Sequence, residues 1–172
     1  MTGIGDFPLV GSASFDAHGI YRYRLTRRWD SARPSMAWIM LNPSTATANS
    51  DDPTIRRVIG FSRTWGFGMA EVVNLFGLCA SDPRRLRTSP APVGPGNDRA
   101  LMSAAASNPA VVVAWGDHGA IVNPLTGVRR CDEVLDMVGS AQSMLSLGAT
   151  RRGQPRHPLY LPKDTVAEAY CR

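Results

Sequence analysis

Met36-Ala37-Trp38-Ile39-Met40-Leu41-Asn42-Pro43-Ser44-Thr45 decides how this chain folds. Six apolar residues in a row, without alternation, predict a strand buried on both faces. Asn-Pro then ends it in a loop. Met69 to Leu75 and Ala110 to Trp115 share that texture, and Ser143 to Leu147 is expected to be a fourth strand. Helical patterns stand between them. Asp51-Asp52-Pro53-Thr54 reads as a helix start, an acidic cap followed by proline at the first helical position. Ile55, Val58, Ile59 and Ser62 keep helical spacing up to Trp65, and Gly66 is the stop. Asn97-Asp98 opens an alanine-rich helix to about Ser107, and Arg129 to Gly139 is helical. Leu159 to Leu161 reads as extended and Lys163 to Arg172 as a closing helix. Strand and helix alternate from residue 36 onward. The expected fold is therefore α/β, a three-layer α/β/α sandwich with a mainly parallel central sheet.

Before that core, Leu9 to Phe15 and Ile20 to Trp29 alternate around the turn signal Asp16-Ala17-His18-Gly19, as an antiparallel hairpin would. Residues 1–172 are expected to form a single domain, with 1–35 as a hairpin extension and 36–172 as the α/β core. At 172 residues, folding buries about 70% of the extended chain's surface, so no metal or disulfide is needed. With 44% hydrophobic and 19% charged residues, the composition is that of a globular domain. No apolar run approaches the ~20 residues of a membrane span, so no membrane partner is expected. Met1 to Gly11 lacks a basic cluster and does not read as a signal peptide.

Cys79, Cys131 and Cys171 are odd in number and far apart, which excludes a disulfide framework, a zinc ribbon and a four-cysteine cluster. A reducing cytoplasm is the expected location. The three histidines have no metal-ligand spacing, so neither metal nor cofactor is expected. There is no P-loop, no G-x-G-x-x-G after a strand and no G-x-S-x-G elbow. The net charge is +5, and 18 of the 19 basic residues are arginine. Codon bias accounts for such an excess, yet arginine's planar fork also suits phosphates and base edges.

In parallel α/β folds, the loops leaving the carboxyl ends of the strands make the site. Here these loops carry Asn42, Asn74, the Trp115-Gly116-Asp117-His118 stretch and His157, which prolines flank at 155 and 158. The order resembles the uracil-DNA glycosylase superfamily. Met40-Leu41-Asn42-Pro43-Ser44 is similar to its first motif, and Val72-Val73-Asn74-Leu75-Phe76 to the strand whose asparagine reads the base. Val111 to Gly116 resembles the next core strand, and Arg156-His157-Pro158-Leu159 the second catalytic motif. The chain also resembles a bacterial and phage family known as domain of unknown function 1643. Leu41 to Ala46, Asp52 to Arg57, Val73 to Phe76 and Gly153 to Tyr160 carry that likeness. It brings no activity with it.

The glycosylase likeness implies a nucleobase-recognising protein that hydrolyses an N-glycosidic bond in nucleic acid or a nucleotide. Asn42 and His157 would be catalytic, Asn42 holding the attacking water and His157 donating to the base oxygen. Asn74 would read the base edge, and Phe76 or Trp115 would stack on it. Arg56, Arg57, Arg151, Arg152 and Arg156 would hold phosphates. These five should border the cleft, whereas the hairpin arginines from Arg22 to Arg28 need not. Ser44, Thr45, Asp117 and His118 would support the site. Met40 and Ser44 stand where the motif has glycine, which reshapes the pocket. Two alternatives remain open: a binding module that does not cleave, and an enzyme acting on free nucleotides or nucleosides.

Overall fold

The computed structural model describes residues 9–139 and 143–171. Most of the segment read for a signal peptide, residues 1–8, lies outside them. Among the described residues, strands β1 (Val10–Phe15), β2 (Arg22–Arg28), β3 (Ser35–Met40), β4 (Met69–Asn74), β5 (Val111–Val113), β6 (Met144–Ser146) and β7 (Glu168–Ala169) form one sheet, ordered β1-β2-β4-β3-β5-β6-β7. The four inner strands are parallel. The hairpin β1–β2 joins antiparallel to β4, and β7 joins antiparallel to β6.

Alternation along β3 explains the layers. Met36, Trp38 and Met40 face α1 (Pro53–Thr64), in a core with Val58, Phe61, Val72 and Val112. Ala37 and Ile39 face the other way, toward α3 (Asn97–Ser107) and α4 (Arg130–Val138), among Leu101, Ala104, Val134 and Val113. Both faces of β3 are therefore dry, which is why its sequence is continuously apolar. The Asp52 carboxylate accepts from the Ile55 N–H at 2.9 Å and caps α1, with Pro53 at the first position. Trp38, Phe61 and Trp65 stack together, with ring centroids 5.4–6.4 Å apart.

Two local expectations are corrected. Residues 158–160 form one turn of 3-10 helix rather than an extended piece, since Pro158 opens a turn in which the Leu159 N–H bonds back to the His157 ring. Among the described residues no closing helix forms; Glu168–Ala169 pairs with Leu145 and Ser146 instead. A ten-residue segment is marginal as a lone helix, and the open edge of β6 supplies backbone partners. The long loop 79–96 contains a short helix, α2 (Arg84–Thr88).

The topology places a crevice. β3 leads to α1 on one face, and its neighbour β5 leads to α4 on the other. Chains leaving adjacent strands in opposite directions part at the strands' carboxyl ends, and ligands bind there in open α/β sheets.

Candidate functional site

A cavity of about 600 Å³ occupies that crevice. Its walls hold Asn42 after β3, Asn74 at the end of β4, Trp115 to His118 after β5, and Thr150, Arg156 and His157 from the loop after β6. The loops behind it are stitched in two pairs by backbone bonds. Leu75 and Phe76 donate to the Met40 and Leu41 carbonyls at 2.9 and 3.0 Å, and Gly116 donates to the Pro155 carbonyl at 2.9 Å. Gly116 has φ +71° and ψ −173°, a conformation essentially confined to glycine. That is the physical reason for Trp-Gly at this strand end.

Asn42 uses its amide nitrogen on the carbonyls of Pro43 and Ala80, at 2.9 and 2.7 Å. Both bonds fix the amide plane and leave Oδ1 without a donor among the described residues, so Asn42 offers the cavity an acceptor. Asn74 is 2% exposed and its Nδ2 has no partner. A buried amide left unpaired costs about 1–3 kcal/mol unless a ligand supplies the missing bond. The backbone behind it is held firmly: the Asn97 side chain donates to the Asn74 and Leu75 carbonyls, and Arg130 Nε donates to the Leu75 carbonyl at 2.8 Å.

His157 accepts the Leu159 N–H on Nδ1 at 3.3 Å. In the neutral ring the proton therefore sits on Nε2. Burial lowers the ring's pKa below its ordinary 6.5, and the Asp52 carboxylate opposes this weakly. At neutral pH His157 is an uncharged donor. Its short helix is stapled to α1 by Arg57, which donates to the Pro158 and Leu161 carbonyls while lying 4.8 Å over the Phe61 ring.

Other expected residues are distributed unevenly. Ser44, Asp117, His118 and Arg156 line the cavity, and Thr150 donates to Asp117 at 2.5 Å. Trp115 lines it too, but is 2% exposed with Nε1 bonded to Gln154, so it shapes a wall more than it offers a free face. Phe76 is fully buried in the core beneath, because the two backbone bonds to β3 carry the strand pairing past Asn74. Thr45, Arg56, Arg151 and Arg152 are exposed and away from the lining, and Arg57 acts as the staple. Of the five arginines expected at the cleft, only Arg156 borders it.

Sequence reasoning passed over Arg22, Asp52 and Tyr160, all on the lining. Arg22 comes from the hairpin, and only pairing of β2 with β4 brings it there. Asp52 is the α1 cap and faces the cavity as well. Tyr160 is 85% exposed at the rim, its ring 6.3 Å from that of His157 and tilted 45°. Among the described residues, no group of three or more histidine, cysteine or acidic side chains is placed to hold a metal ion. No described helix is long and apolar enough to cross a membrane.

No curated protein and no solved structure matches the chain. One family model does, and its match runs from Arg22 to Leu159, taking in the whole cavity lining except Tyr160 and Leu161. The chain therefore belongs to the family described as "protein of unknown function (DUF1643)".

Proposed function

We propose that this protein recognises a nucleobase in the cavity, on a uracil-DNA glycosylase-like three-layer fold, and hydrolyses the N-glycosidic bond that holds the base. One observation carries the reading: Asn42, Asn74 and His157, on three separate loops, line one cavity and leave complementary groups unpaired. The Asn42 carbonyl orients a water toward C1′ of the sugar. The C1′–N bond breaks and its electron pair leaves on the base. The water oxygen bonds to C1′, and its proton passes to the departing base. Asn42 cannot itself take that proton, so its part is positioning. The His157 Nε2–H donates to the base oxygen as charge develops, an effect worth roughly 3–4 kcal/mol in comparable donors. The Asp52 carboxylate stabilises positive charge on the sugar. Asn74 reads the base edge, and Tyr160 is the exposed aromatic available to stack on it.

A second reading is a base-binding module that does not cleave. The two bonds from the Asn42 amide to backbone carbonyls favour it, because they are a sufficient structural reason for asparagine there. One experiment separates the two. The protein is incubated with oligonucleotides carrying uracil, hydroxymethyluracil, hypoxanthine or mismatches, and with the matching free nucleotides. Release of base, seen as alkali-labile sites or free base, is the expected result. Asn42→Ala and His157→Ala should abolish it while circular dichroism stays unchanged. Binding without release on every substrate leaves the module.

A further inference from the structure

Three arginines among the described residues are almost wholly buried: Arg22, Arg27 and Arg130, each 1–3% exposed. Two of them use all three guanidinium nitrogens in hydrogen bonds and are paired with acids. Arg27 donates to Asp51, Thr26, Thr47 and Ser50. Arg130 donates to Leu75, Glu133 and Asp98. Arg22 differs. Its Nη1 donates to the Ala46 carbonyl at 2.5 Å, and its Nε is buried with no partner. Among the described residues Nη2 has no hydrogen bond and no carboxylate lies within ion-pair distance of the guanidinium.

The unused edge is the one that matters chemically. Nε–H and Nη2–H point in parallel, the fork that takes a carboxylate or phosphate with two bonds. A buried charge without a counter-charge is among the costlier arrangements a fold contains, and a neutral carbonyl would leave the charge uncompensated. Arg22 lines the cavity. The Arg22 N–H donates to the Gly77 carbonyl at 2.9 Å, which fixes Arg22 against the chain just past β4, and its side chain lines the same cavity as Asn74 with its own unpartnered Nδ2.

We infer that Arg22, with Asn74 lining the same cavity, forms an oxyanion subsite on the inner wall, taking a phosphate monoester or carboxylate on a ligand small enough to enter the cavity whole. A residue 3% exposed is out of reach of the bridging phosphates of a polynucleotide lying across the rim. The ligand class is therefore a free, terminally anionic small molecule. The charged or titratable groups that act on the Arg22 guanidinium are Asp52, Arg27 and Cys79, and His157, Asp117, His118, Arg156 and Tyr160 line the same cavity. Asp52 would repel a second anion placed beside it, so the ligand must carry hydrogen-bond donors on that side, as a nucleoside or amidic ring does. The subsite stands on the Arg22 geometry whether or not a bond is cleaved; the nucleobase reading enters only in the choice of nucleoside probes.

Titration calorimetry compares nucleoside 5′-monophosphates with the same nucleosides, and pyrimidine carboxylates with the parent pyrimidines. The first comparison reads a phosphate, the second a carboxylate. About tenfold tighter binding of the anionic member of one pair is expected, the scale of a charge-assisted bidentate contact. Arg22→Gln should erase that preference and leave the neutral member's affinity in place. Arg22→Lys, which keeps the charge without the fork, guards against a folding defect in the first variant and should lose most of the preference. Arg56→Gln, an exposed control, should change nothing. In the unaltered protein, the Arg22 Nε–H resonance should shift when inorganic phosphate or acetate is added. Equal binding within both pairs, a preference that survives in Arg22→Gln and Arg22→Lys, or an Nε–H resonance that no anion moves overturns the subsite. Base release without anion preference would keep the glycosidic reading and remove the subsite; the converse would do the opposite.

Discussion

His157 is held as a neutral donor by two separate causes: a backbone N–H bonded to Nδ1, and burial that disfavours the imidazolium. Folding therefore depresses its pKa below the 6.5 it has when free. Below that value the unfolded chain binds the proton more readily than the folded one. The stability tied to the neutral ring is full above about pH 6.5 and falls as pH drops toward the folded-state value. The unfolding free energy should therefore decline as pH falls below about 6.5, and His157→Gln should flatten that part of the curve in urea titrations. Any base-releasing activity should fall with a lower midpoint, since protonating the folded ring removes the Nδ1 acceptor for the Leu159 N–H that holds the ring in place. Gly116 is the other residue on which the site turns. Its backbone lies where a Cβ is strained, and a Cβ there would stand 3.5 Å from that of His157. Gly116→Ala is expected to cost about 1–3 kcal/mol in chemical denaturation. From the sequence, Trp-Gly could be read as a strand end. The need for glycine became visible only with the backbone angle.

At the scale of elements, the site depends on how short pieces are pinned. The 3-10 turn after His157 has no helix length of its own to steady it; Arg57 on α1 bonds both its first and its last carbonyl neighbours. Arg57→Ala should cost about 1.5–3 kcal/mol, the range for bonds to a charged donor, and speed amide exchange over residues 157–161 ahead of the rest. Arg57→Lys should recover little, because one ammonium cannot span both carbonyls. Asp52 combines two duties that paired substitutions separate. Asp52→Asn keeps an N-cap and removes the charge, whereas Asp52→Ala removes both. Only the second should destabilise the fold, by about 1 kcal/mol, while both should weaken catalysis if Asp52 supports the sugar cation. These elements also mark what the sequence made legible. The run from Met36 to Leu41, the Asp52-Pro53 start and the Asn97–Ser107 helix follow from burial and local propensity, and they are where they were expected. Helical spacing says which face Arg57 occupies but not which loop packs there, so the sequence suggests a phosphate ligand where the fold has a staple. Phe76 was read as a stacking residue because the sequence does not show that β4 keeps pairing with β3 beyond Asn74.

At the scale of the whole molecule, the hairpin is part of the sheet and of the site. β2 covers the edge of β4 from Leu25 to Arg28, and Arg24 pairs there with Glu71, a carboxylate only 2% exposed that also accepts from Asn108 at 2.8 Å. Arg22 and Arg27 reach across to the loop 46–51 that leads into α1. The arginine excess is thus divided by topology: Arg22 and Arg27 of the hairpin enter the interior, whereas Arg28, Arg56, Arg151 and Arg152 stay exposed. β1 makes no such link; it pairs with β2 alone and lies outside the family match, which begins at Arg22. Two truncations should therefore behave differently. Removing residues 1–15 exposes the edge of a strand that carries Arg24, Arg27 and Arg28, charges that discourage edge pairing. That variant should stay in solution with the oligomeric state of the full chain and keep its ligand affinity. Removing residues 1–30 strips the edge of β4, leaves Glu71 buried without its cation and takes Arg22 from the cavity. It should aggregate, since an open apolar strand edge and an unpaired buried carboxylate act in the same direction. Light scattering after size-exclusion chromatography checks both. A well-behaved second variant that still prefers anionic ligands would show that the hairpin is a cover only.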